Sequence, residues 1–100
     1  MIKFTKTTLN KLLDILNESG YITRFEKGNF VSGYALVKDK KIIIINKFFD
    51  TESRINTILE LMDRIEIDDY ILTKKSKLFY RNLIKNGLIV NFQKYKKEEE

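Results

Sequence analysis

The stretch YALVKDKKIIIIN, Tyr34–Asn46, decides how the rest of this chain is read. Tyr34 to Val37 form one short strand, KDKK makes a polar turn, and Ile42 to Ile45 form the next strand. Successive side chains of a strand point to opposite faces, so four consecutive isoleucines cannot all face one way. Either both faces of that strand are covered, or one apolar stripe awaits a partner. A central position in a three-stranded antiparallel sheet, with helices packed nearby, would bury most of them.

Upstream, KGNFVSG carries two glycines and an asparagine, which suits a loop between strands. Before it, YITRFEKG alternates Tyr21, Thr23 and Phe25 against Ile22, Arg24 and Glu26, the period and residue types of a strand. Residues 5–19 change period. Leu9, Leu12, Leu13 and Leu16 fall on one helical stripe, with Thr5 or Thr7 as the cap and Gly20 as a left-handed terminator.

Downstream, Asp50 or Thr51 opens a second helix whose apolar stripe is Ile55, Ile58, Leu59, Met62 and Ile65. EIDDY is a polar break, with Asp68-Asp69 as a solvated turn or cap. Thr73 caps a third helix running to about Lys85, with Leu78, Phe79, Leu83 and marginally Ile84 as its apolar contacts. Asn86-Gly87 ends it. LIVNFQ then adds a short strand or lies across the core. There is no proline and no internal repeat, so the expectation is one α+β domain over residues 1–93 and a charged tail over 94–100. Its order is α-β-β-β-α-α: a small three-stranded antiparallel sheet with about three helices on one face.

Composition excludes several kinds of chemistry. The chain has 100 residues, 43% of them hydrophobic and 33% charged, which is enough for one core. It has no cysteine, hence no disulfide and no thiolate metal site, and a reducing compartment fits. It has no histidine, which removes the commonest zinc ligand and the commonest acid–base group at neutral pH. KGNFVSG is neither a dinucleotide-binding fingerprint nor a P-loop, and no S-x-x-K is present. The longest apolar run, Ile42–Ile45, is far short of a membrane span, and the N-terminus lacks the unbroken apolar stretch of a secretory signal. A cytoplasmic, non-enzymatic protein without cofactor or metal is expected.

The stretch RINTILELMD, Arg54 to Asp63, carries a resemblance. A helix, a glycine–tyrosine lead into a strand, a glycine-containing hairpin and IIIIN precede it. Together they resemble the ImmA/IrrE-type zincin metallopeptidases over roughly residues 9–66. That family's helix reads approximately R-F-T-x-A-H-E-x-x-H. Arg54, Ile55 and Thr57 fit the approach to the motif, and Glu60 falls on the catalytic glutamate. The zinc-binding histidines, four apart so that both face one ion, are replaced by Leu59 and Asp63. The resemblance therefore implies a degenerate zincin-like scaffold whose metal chemistry does not carry over. Without any kinship the same letters describe a core helix, with Glu60 exposed and paired with Arg64 one turn on.

Binding is the remaining class. Residues 1–73 hold equal numbers of acidic and basic side chains, residues 74–97 hold eight basic and no acidic ones, and the last three are glutamates. Lys74, Lys77, Arg81 and Lys85 form one stripe along the third helix, and Lys94, Lys96 and Lys97 add an arm. Such a stripe neutralises phosphates, and Tyr80 and Tyr95 would stack on bases if exposed. Weak, salt-sensitive, sequence-nonspecific nucleic-acid binding is the alternative to the leading expectation, a protein partner or a second copy held by an aromatic patch of Phe30 and Phe48.

Overall fold

The computed structural model describes residues 2–27 and 34–89. Along the chain run α1 (Lys6–Glu18), β1 (Ile22–Glu26), β2 (Tyr34–Val37), a 3-10 turn (Lys38–Lys40), β3 (Ile42–Asn46), α2 (Thr51–Met62), a second 3-10 turn (Asp69–Ile71) and α3 (Lys74–Lys85). The α-β-β-β-α-α order and the α+β class are those expected. The end of the domain at residue 93 lies outside the described residues.

Each helix begins where a side chain replaces a missing backbone partner. Thr5, not Thr7, caps α1, its hydroxyl accepting from the Thr8 N–H at 3.2 Å. Asp50 caps α2 through the Ser53 N–H at 2.8 Å, and Thr73 caps α3 through the Ser76 N–H at 3.2 Å. The hydrogen bonds from Ser53 hold the Asp50 carboxyl below the usual aspartate range. Gly20, at φ +90°, closes α1: the Tyr21 N–H returns to the Leu16 carbonyl at 3.0 Å and turns the chain into β1.

The sheet is mixed, which corrects the antiparallel expectation. Its order is β1-β3-β2. β2 and β3 form the expected hairpin, with Tyr34 opposite Ile45 and Val37 opposite Ile42, whereas β1 runs parallel to β3, with Ile22 beside Ile42 and Glu26 beside Asn46. A meander assumes that sequence neighbours pair. Here β3, the most apolar strand, takes the centre, where neighbours on both sides shield it. Residues 27–33 then join strands two spacings apart, about 10 Å, well within the reach of seven residues. Lys41 takes the left-handed conformation (φ 53°) that closes the β2–β3 turn.

The register divides the sheet into two faces. Phe25, Ile43, Ile45, Tyr34 and Leu36 join the core with the buried stripes of the helices. Leu12, Ile15 and Leu16 of α1 and Ile55, Ile58 and Leu61 of α2 are fully buried in that core. On the other face lie Ile22, Arg24, Glu26, Ala35, Val37, Ile42, Ile44 and Asn46. Ile43 and Ile45 are thus buried, while Ile42 and Ile44 are only half-buried. Of the two alternatives posed by IIII, the stripe left without a helix is the one found among the described residues.

α3 meets the core through Leu83, Phe79 and Ile84, as expected, but not through Leu78. Its inward residues are Ser76, Tyr80 and Leu83, with Phe79 and Ile84 flanking, and Leu78 points outward. The cause is a polar contact with α1: the Ser76 hydroxyl donates to Glu18 at 2.8 Å, which fixes that side of α3 against α1. At about 100° per residue, Leu78 then falls on the opposite side. Leu88 packs against the core and Ile89 is buried, while residues 90–93 lie outside the described residues.

Candidate interaction surface on α3

The helix that carries the zincin resemblance uses its letters structurally. Leu59 is buried in the core, Asp63 is the C-cap of α2, and Glu60 is exposed with its carboxylate 3.5 Å from the Arg64 guanidinium. Arg54, at the approach to the motif, ties the end of the sheet to α2. It donates to the Phe49 and Lys47 carbonyls, both at 2.9 Å, and its guanidinium lies 4.4 Å from the centre of the Phe25 ring. Among the described residues no group of three or more His, Cys, Asp or Glu is placed to share a metal ion. A shallow cleft of about 250 Å³ lined by Ile2, Phe79, Asn82, Leu83, Asn86 and Leu88 contains no titratable side chain.

The basic stripe is present on α3, but it differs from a row of free cations. Lys74, Arg81 and Lys85 are exposed and Lys77 is half-buried. Arg81 is engaged by Asp69 at 3.2 Å, and the Lys77 ammonium sits 6.0 Å from the centre of the Tyr70 ring. Both contacts come from the Asp69–Ile71 turn. Asp68 caps that turn by accepting from the Tyr70 N–H at 3.0 Å, in keeping with the cap expected of the Asp68-Asp69 pair. The turn presents Tyr70 at 84% exposure and Ile71 at 56%.

At the centre of the stripe stands Leu78, 60% exposed, with Lys74 one turn before it, Arg81 three residues after and Lys85 two turns after. The surface is therefore apolar and aromatic inside a basic frame. Tyr80, expected as a base-stacking residue if exposed, is buried. Lys94, Lys96, Lys97 and Tyr95 lie outside the described residues, as does Phe30. Phe48 is 69% exposed, with the Lys47 ammonium 5.5 Å from its ring, while Phe49 packs on the core. A patch joining Phe30 to Phe48 thus rests on Phe48 alone. Tyr70 and Ile71 were missed because EIDDY reads as a polar break, although a tyrosine and an isoleucine directly after two aspartates were a visible signal.

No helix among the described residues is long and apolar enough to cross a membrane. Comparison with protein-family models, with curated proteins and with solved structures finds no match.

Proposed function

We propose that this chain is a non-catalytic binding domain that holds a protein partner against α3 and the Asp69–Ile71 turn. The observation that carries the reading is Leu78, exposed at the centre of the basic stripe and joined by Tyr70 and Ile71. Phosphate binding has no use for an exposed leucine. A protein interface uses aromatic and aliphatic anchors inside a charged rim, with arginine and tyrosine prominent among the residues that bind most tightly. The frame of Lys74, Lys77, Arg81 and Lys85 selects a partner whose own rim is acidic. The absence of cysteine suits a cytoplasmic setting. If the zincin resemblance reflects ancestry, the helix Arg54 to Asp63 serves as scaffold within the core, packed against α1.

Tyr70 and Lys77 favour one second reading. An exposed aromatic ring beside an ammonium group is also how a single-stranded nucleic acid is stacked and neutralised. Affinity capture with the intact chain, with and without nuclease treatment, separates the two. A partner protein retained after nuclease supports the proposal. Material lost entirely on nuclease treatment, together with retardation of single-stranded nucleic acid that fades as salt rises, would replace it with the second reading.

A further inference from the structure

Among the described residues nothing covers the second face of the sheet. Its side chains form rows across the strands: Ile22, Ile42 and Val37 in the first, Arg24, Ile44 and Ala35 in the second, Glu26 and Asn46 at the rim. Ile22 and Val37, at opposite ends of the first row, are 53% and 40% exposed. None of the apolar members of these rows belongs to the core or packs against it. Five branched or small apolar side chains therefore share one face of the sheet, two of them exposed and three half-buried.

We infer that this face is covered by a second copy of the same chain, stacked face to face about a two-fold axis running along β3. The register supplies the argument. That axis lays β3 over β3 and β1 over the β2 of the other copy. Ile42 and Ile44 then meet their own counterparts, Ile22 meets Val37, and Arg24 meets Ala35. The longest side chain on the face thus crosses the shortest, and it does so twice, as an isologous contact requires. The charges agree with this placement. On this face Arg24 and Glu26 both belong to β1, and the described part of β2 contributes only Ala35 and Val37. The axis therefore carries the charged strands of the two copies to opposite flanks, where no like charges oppose each other. A two-fold axis across the strands instead sets β1 on β1 and, centred on the second row, brings Arg24 against Arg24. The stacking distance is the usual one for sheets, about 10 Å.

The area sets the strength. Three strands by five residues span roughly 14 by 17 Å, a footprint of about 240 Å² on each copy and so about 480 Å² for the pair, below the roughly 1,000 Å² of total buried surface of a stable specific interface, which makes the dimer a weak one. The association is accordingly concentration-dependent. It does not involve the α3 surface, so its failure leaves the proposed function standing.

Sedimentation equilibrium of the full chain from ~10 µM to ~1 mM, the range in which a small interface assembles, tests it. The expected mass rises from the 11.9 kDa of one chain towards twice that. Ile22→Glu and Val37→Lys, each at an exposed position, should separately weaken the dimer by at least about tenfold with the far-UV spectrum unchanged. The double variant should recover it, because the introduced carboxylate and ammonium face each other across the axis. If Ile22→Glu unfolds the chain, Val37→Lys alone reads the same contact. A chain that stays at 11.9 kDa throughout, a dimer indifferent to both single substitutions, or a folded double variant that remains monomeric overturns the inference.

Discussion

Glu18 ties the end of α1 to the start of α3, 55 residues later. Its carboxylate accepts from the Thr73 N–H at 2.8 Å, from the Ser76 hydroxyl at 2.8 Å and from the Thr73 hydroxyl at 3.4 Å. Partial desolvation pushes its pKa up, but the hydrogen bonds from Thr73 and Ser76 outweigh it and hold the carboxyl below the usual glutamate range. A depressed folded-state pKa means stability fully present above the unfolded value, about 4.3, and lost as pH falls through the folded value. Glu18→Gln should therefore cost about 1 kcal/mol at pH 7, since the contact is partly solvated. Wild type and variant should converge in thermal melts near pH 3; an equal gap at both pH values would contradict this. Arg54 supplies a second case. Its two carbonyl bonds and its seat on Phe25 need a planar fork, so Arg54→Lys should lose about 1–2 kcal/mol in urea denaturation despite keeping the charge. Neither role was legible in the sequence. Local capping rules find Thr73, but the carboxylate that meets it and Ser76 belongs to a different helix. Arg54 read as part of a motif, not as a clamp.

At the scale of elements, periodicity succeeded where one face of a helix decides burial. The stripes of α1 and α2 and the caps at Asp50 and Thr73 follow from local chemistry, and so does the β2–β3 hairpin. Strand pairing at a distance does not. Nothing in Ile22–Glu26 states whether it will lie beside β2 or β3, because alternation fixes faces and not neighbours. On α3 a single expected contact, Leu78, falls outside the core for a related reason. The helix has apolar residues on two sides, and the Glu18 contact, invisible locally, chooses the side with Tyr80 and Leu83. A matched pair of substitutions checks that choice. Leu83→Ala should cost about 2–4 kcal/mol by opening a cavity, whereas Leu78→Ala should stay within about 0.5 kcal/mol. Comparable losses in chemical denaturation would mean that Leu78 is not the outward residue.

At the scale of the whole molecule, the described residues form one core and leave two apolar surfaces without cover among themselves, the α3–turn face and the open side of the sheet. The basic frame of the first was legible in the sequence, because charge spacing on a helix is a local property. Its apolar centre was not, since Leu78 was assigned to the core and Tyr70 to a polar break. That centre separates the two binding readings, and substitution at the centre and at the frame tests the separation directly. Tyr70→Ser with Leu78→Ser removes the anchors; Lys74→Gln with Lys77→Gln and Lys85→Gln removes charge alone. For a partner recovered by affinity capture, the account predicts that the apolar pair costs at least about 2 kcal/mol, roughly thirtyfold in affinity. The lysine set should chiefly slow association and weaken its salt dependence. Binding that survives loss of Tyr70 and Leu78 and disappears with the three lysines would contradict it.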